Sequence, residues 1–232
     1  MREIVLDTET TGLDPINGDR VVEIGCVEVV NHIATGETYH QYVNPQRDMP
    51  AGAFAVHGLS EEFLSGHPVF RDVVDGFLAF IDDDPLVIHN ASFDMGFINA
   101  ELRRLKRREL PMTQSVDTVR MARRKFPGAP ASLDALCRRF DIDNSSRSYH
   151  GALLDAELLA EVYLELLGGR QPGLSLAPAE AAAAKKVPGE ESEARDPAAE
   201  IRPPRRHVAS ADELAAHEAF VATLKQPMWL AD

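Results

Sequence analysis

Four carboxylates stand at the margins of apolar segments that lie far apart in the chain: Asp7, Glu9, Asp94 and Asp155. Taking a charge out of water is costly unless it meets a partner, a proton or a cation. A fold that buries these segments must therefore accommodate the acids, and that requirement constrains the chain more than any other feature. Asp7 ends the strand-like run Glu3–Asp7. On a strand, positions i and i+2 share a face, so Asp7 and Glu9 converge, and they repel unless a cation lies between them. Alone, the pair reads equally well as two solvent-facing acids at a strand end. Asp94 falls in the first turn of a helix after the apolar run Leu86–His89. Alone, it reads as an acid stabilised by the helix dipole. Asp155 lies among Leu153, Leu154, Leu158 and Leu159, where a charge needs a partner or a metal. His150 precedes it by five residues, beside Gly151. That is not a helical neighbour spacing, so His150 belongs to a loop before the helix, able to swing over the site.

Apolar periodicity supplies the scaffold. Strands are predicted over Glu3–Asp7, Arg20–Val30 and Thr38–Val43, the last two joined by a hairpin-like connection, Asn31–Gly36. Phe70–Ile81 carries apolar residues at helical spacing. Leu86–His89 and Ser115–Asp117 are short strands. Helices are predicted over Phe93–Leu105, Thr118–Phe126, Ser132–Phe140 and Leu153–Leu167. Three strands followed by alternating helices and strands predict an α/β fold, a mixed sheet flanked by helices on both sides. Composition changes at Gly168-Gly169. Residues 177–206 are rich in Ala, Pro, Glu and Arg and read as a flexible linker. Ser210-Ala211-Asp212-Glu213 then starts a short helix. A tail this small cannot bury its own core, so its apolar residues, Trp229 included, need another surface. The expected organisation is a folded domain over 1–168, a linker over 169–207 and a tail over 208–232.

Composition removes several classes. Two cysteines, Cys26 and Cys137, exclude a disulfide scaffold and suit a reducing cytoplasm. The N-terminus enters a strand at once, with no signal peptide expected. No apolar run reaches the roughly 18 residues that span a bilayer, so no membrane partner is expected. The net charge of −13, most of it in the folded part, is the wrong sign for binding nucleic acid through bulk charge. Bound cations can reverse the local field of an acidic chain. Two basic runs stand out, Arg103 to Arg108 and Arg120 to Lys125. Either is a candidate for DNA phosphates, solvated helix faces being the plainer reading.

Four acids and a histidine at the edges of buried elements suit phosphodiester hydrolysis with two divalent ions. Hard oxygen ligands favour Mg²⁺ or Mn²⁺. Histidine is a suitable base toward the attacking water. No Walker lysine, Gly-rich phosphate loop or serine elbow competes with this assignment.

Asp7-Thr8-Glu9-Thr10-Thr11-Gly12, then His89-Asn90 with Phe93-Asp94, then His150, Ala152 and Asp155 give an order that resembles the DEDDh family of 3′→5′ exonucleases. More narrowly, the chain resembles the proofreading subunits of bacterial DNA polymerase III. The segments 21–30, 54–59, 132–137 and 150–163 extend the likeness over nearly all of 1–168. The resemblance implies a ribonuclease H-like fold with a mixed five-stranded sheet. It implies removal of nucleoside monophosphates from a DNA 3′ end with two divalent ions. Asp7, Glu9 and Asp155 are implied as metal ligands, Asp94 as an acid acting at the second metal, and His150 as the base. Val56 and His57 sit where the family contacts the terminal nucleotide, with Thr10 and the acids beside them. The family's acid shortly before this segment is replaced by Gly52, which leaves only a backbone contact. Asp117 matches a recurring family acid and reads as structural or as a support behind the metal ligands, not as a ligand itself. Gln171, Leu174 and Leu176 resemble the peptide that binds the sliding clamp. The tail resembles the segment that tethers such subunits to the polymerase alpha subunit. A small theta-like subunit accompanies some members, and no residue here establishes it. Two alternatives remain: an RNA-trimming relative, argued against by the clamp-like peptide and tail, and a non-catalytic scaffold between polymerase and clamp, argued against by the intact acids.

Overall fold

The computed structural model describes residues 1–145, 149–169 and 210–223. A five-stranded mixed sheet has the order β3-β2-β1-β4-β5. Its strands are β1 (Arg2–Thr10), β2 (Val21–Val30), β3 (Ile33–Tyr42), β4 (Leu86–Ile88) and β5 (Ser115–Asp117). β1 pairs antiparallel with β2 and parallel with β4, so it lies at the centre of the sheet. Period-two alternation sends its side chains into two cores. Ile4 and Leu6 pack with Phe70, Phe77, Met95 and Ile98 on one face, whereas Val5 packs with Leu136, Leu159 and Val162 on the other. The first core is closed by α3 (Phe70–Ile81) and α4 (Ala91–Arg104). The second is closed by α6 (Leu133–Phe140) and α7 (Ala152–Leu167), with α5 (Thr118–Lys125) contributing Ala122. Burying each large side chain contributes about 1.5–3 kcal/mol relative to exposure.

Helix starts follow local capping chemistry. Asp117 accepts from the backbone N–H groups of Val119 and Arg120 at the start of α5. Ser132 accepts from Ala135 N–H at the start of α6. Asp117 thus caps α5, and it also lines the carboxylate cleft. Asn90 adopts φ 70°, a left-handed conformation that Asn tolerates better than most residues, and turns β4 abruptly into α4.

Two expected boundaries need correction. β1 does not end at Asp7 but runs to Thr10, because Thr8 and Glu9 continue the ladder opposite Ile24 and Glu23. The β2–β3 connection is not Asn31–Gly36. Asn31 and His32, both at positive φ, make a two-residue turn, and β3 starts at Ile33. Two helices without a sequence expectation appear, α1 (Ala51–His57) and α2 (Glu61–Ser65). Each is too short to show a hydrophobic period.

A second compact unit covers Leu176–Asp232. Within it α8 (Ala211–Val221) starts at Ser210 with a reciprocal capping box to Glu213, as the sequence indicated. Of the expected linker only Gly169 is described; the clamp-like Gln171, Leu174 and Leu176, and Trp229, lie outside the described residues.

Candidate active site

β1 carries Asp7 and Glu9 on the face that α7 covers. The approach of that helix depends on a glycine. Gly25, opposite Asp7 on β2, has the α7 start directly against it. A Cβ there would lie 2.2 Å from the Ala152 carbonyl carbon and 2.3 Å from Leu153 N. Without that side chain the first turn of α7 lies on the sheet, and Asp155 is carried in beside Glu9. Asp155 is 3% exposed and Glu9 8%. Oxygen atoms of Glu9 and Asp155 and a ring nitrogen of His150 all lie within 4.8 Å of one another. His150 Nδ1 stands 3.3 Å from Asp155 Oδ2. The ring is exposed, and its backbone N–H donates to Val56 O at 3.1 Å, which ties the loop before α7 to α1.

Asp94 arrives from the opposite layer. β4 pairs with β1 only as far as Leu6↔Ile88, after which it turns into α4. The next β1 donor on that edge, Thr8 N–H, is taken instead by Asp94 Oδ1 at 3.1 Å, and Thr8 Oγ1 donates to the same oxygen at 2.7 Å. Asp94 is thus fixed at the seam where the α4 layer meets the carboxylates of β1. Burial pushes its carboxyl up to about 7, against the lowering effect of the Thr8 hydrogen bonds.

Asp7, Glu9, Asp94, His150 and Asp155 line one cleft of about 900 Å³. The structure therefore brings together all five residues expected to act on the phosphodiester. The donor set, four carboxylates and one imidazole, fits hard divalent cations, and so many acids around one cleft favour cation binding. A second, more apolar pocket of about 470 Å³ adjoins the cleft through Thr8, Glu9 and Phe93. Thr10, Gly52, Val56 and His57 all line it. Val56 is half-exposed, as a wedge beside a base would need to be. His57 is buried, and its Nδ1 accepts Leu59 N–H at 3.0 Å, which leaves the ring proton on Nε2 when the ring is neutral. Burial lowers its proton affinity, and the nearby His150 lowers it further, while the Thr10 carbonyl opposes them. A Cβ on Gly52 would meet nothing within 4 Å, so the space of the missing family acid is open.

Sequence reasoning missed Thr8, which holds Asp94, and Gly25. A glycine inside a strand is the available signal for the latter, since it often marks the close approach of another backbone.

The Exonuclease family model RNase_T matches residues 4–163. The DNA polymerase III subunit epsilon of Rickettsia felis is 56% identical over 179 residues, covering 76% of this chain and 78% of that protein. The subunit of the same name from Escherichia coli K12 is 50% identical over 177 residues, covering 73% and 72%. Among solved structures, Exonuclease X in complex with 5′ overhanging duplex DNA superposes with a TM-score of 0.57 at 26% identity, covering 71% of this chain and 90% of that one. The nuclease domain of 3′hExo, a DEDDh family member, gives a TM-score of 0.62 at 16% identity and covers 72% and 91%, which shows the ribonuclease H-like fold. The chain belongs to the Exonuclease family, as a 3′→5′ exonuclease of the DNA polymerase III epsilon-subunit group.

Proposed function

We propose that this exonuclease proofreads replication, removing mismatched nucleotides from a DNA 3′ end by hydrolysis that uses two divalent ions. The observation that carries the reading is the convergence of Glu9, His150 and Asp155 within 4.8 Å, in the cleft that Asp7 and Asp94 also line. Asp7, Glu9 and Asp155 would hold the ions, Mg²⁺ or Mn²⁺, and Asp94 would act at the second. When bound, the ions supply charge stabilisation of the phosphoryl oxygens and of the departing oxygen. His150 takes the proton of the attacking water, its ring reaching the cleft from an exposed loop. Thr10, Val56, His57 and the backbone at Gly52 hold the terminal nucleotide in the adjoining pocket. A frayed 3′ end reaches this pocket more readily than a paired one, which links the geometry to proofreading.

The test is Mg²⁺-dependent release of mononucleotide from a 3′-mismatched primer, for the wild type, Asp7→Ala and His150→Ala. Loss of at least a hundredfold in both variants supports the mechanism; unchanged rates in both remove it. The partners follow from the sequence: residues 208–232 tether the alpha subunit, and Gln171, Leu174 and Leu176 engage the sliding clamp. A chain truncated after Leu167 is expected to keep exonuclease activity and lose both contacts in a pull-down. A theta-like subunit would be revealed by co-purification with the full chain.

A further inference from the structure

The two basic runs have different fates. In the first, Arg103 binds Glu109 with contacts of 2.9 and 2.7 Å, Arg104 meets the buried Glu101 at 3.1 Å, and Arg107 pairs with Asp75. Those charges are neutralised within the domain, and none of that run lines the carboxylate cleft. In the second, Lys125 turns away, its Nζ donating to Glu165 O and Leu166 O at the end of α7. Arg120 and Arg123 instead line the cleft itself. The Arg120 side chain is 83% exposed and its ion partner, Asp117, stands 3.8 Å away, beyond hydrogen-bond range. Arg123 is exposed and makes no ion pair or side-chain hydrogen bond among the described residues. Asp134, which also lines the cleft, accepts from Asn144 at 3.1 Å.

α5 is also held rigidly, by the Asp117 cap at its start and by Lys125 at its end. The i, i+3 spacing sets the two arginines on one helix face, about 5–6 Å apart at Cβ, the scale of successive phosphates on an extended strand. Two exposed arginines on the border of a cleft lined with acids are available to an anionic ligand that enters it. The terminal-base pocket draws on α1 and the β1–β2 loop, whereas the arginine wall draws on α5. Arg120 and Arg123 line the carboxylate cleft and not the base pocket, so they are placed to meet the part of a strand that lies beyond its terminal base.

We propose that Arg120 and Arg123 seat the phosphates of the strand immediately upstream of the scissile bond. This inference rests on the exonuclease reading above and assigns the other side of the same site. Arginine suits the task because its planar fork binds phosphate oxygens in pairs.

The test compares the full-length wild type, Arg120→Gln/Arg123→Gln and Arg120→Lys/Arg123→Lys on two substrates. One is a single-stranded DNA nonanucleotide. The other is the p-nitrophenyl ester of thymidine 5′-monophosphate, which has no upstream phosphates. The Gln pair is expected to lose at least tenfold more kcat/KM on the oligonucleotide than on the ester, mainly through KM, and the Lys pair to recover most of it. Oligonucleotide binding measured in Ca²⁺ by fluorescence anisotropy is expected to show a salt slope shallower by about 1.4 in the Gln pair, at about 0.7 per charge on single strands. Equal losses on both substrates, or an unchanged slope, overturn the proposal. So does a slope change of the same size in Arg103→Gln/Arg107→Gln. If the wild type hydrolyses neither substrate, the exonuclease reading fails, and the slope still decides the arginines.

Discussion

Replacing Gly25 with alanine tests whether catalytic geometry depends on how closely α7 lies on the sheet. The added Cβ would sit 2.2 Å from the Ala152 carbonyl carbon, 2.3 Å from its oxygen and 2.3 Å from Leu153 N. All three are backbone atoms, so no side chain can rotate out of the way. Restoring ordinary carbon contact at about 3.6 Å requires the start of α7, or β2, to retreat by roughly 1.4 Å. Overpacking of this kind costs about 1–3 kcal/mol. For a domain of this size that corresponds to a fall in Tm of roughly 2–12 °C. The same retreat carries Asp155 and the His150 loop away from Glu9, and misplacement by about 1 Å lowers rates about 100-fold. Thermal unfolding followed by circular dichroism gives the stability, and nucleotide release from a mismatched primer, measured well below the variant's Tm, gives the activity. A folded Gly25→Ala protein with activity within threefold of wild type refutes the reasoning, since α7 would then have another way to seat Asp155.

Other expectations follow from individual residues. Burial raises the Asp94 carboxyl to about 7, above its unfolded value, so without metal its ionisation erodes stability as pH rises from about 4 to 7. At one fixed Mg²⁺ concentration, set at 100 times the Kd measured at pH 8 and so adding about 2.7 kcal/mol there, the gain in Tm is expected to be larger at pH 8 than at pH 5.5; equal gains contradict this. Glu3 is buried and accepts from Tyr163 Oη at 2.8 Å, with His32 Nδ1 also at 2.8 Å. Glu3→Ala is expected to cost about 1–3 kcal/mol in urea unfolding by stranding the tyrosine hydroxyl, with exonuclease rates kept. Gly52→Ala, within α1 and with open space at its Cβ, is expected to raise stability by about 0.5–1 kcal/mol in the same measurement, and destabilisation would contradict the open-space reading.

Much of this architecture is legible in the residues. The helix over Phe70–Ile81 appears with the predicted bounds because its apolar period is complete. Asp7 and Glu9 share a face because strand geometry leaves no alternative, and Asp155 is buried because leucines surround it. β3 was legible only in its second half, since most of its early residues are exposed and carry no alternation. Asp94 was expected to join the cleft, yet nothing local reveals how. Its anchor is a backbone donor set free where β4 ends, which is a property of the sheet and not of the helix that bears the acid. The same holds for Arg120 and Arg123. In sequence they match the earlier basic run, and only the tertiary structure, which sets Arg120 and Arg123 along the cleft and pairs Arg103, Arg104 and Arg107 elsewhere, separates the two.

The central claim is that residues from β1, α4, the loop before α7 and α7 form one centre for two cations. The most direct measurement is a crystal structure with Mn²⁺ and thymidine 5′-monophosphate, recorded for anomalous scattering. Two peaks about 3.5–4 Å apart, in contact with Asp7, Glu9 and Asp155, with His150 facing the phosphate, are the predicted result. Manganese bound away from these residues, or a nucleotide phosphate that meets none of them, would contradict the account.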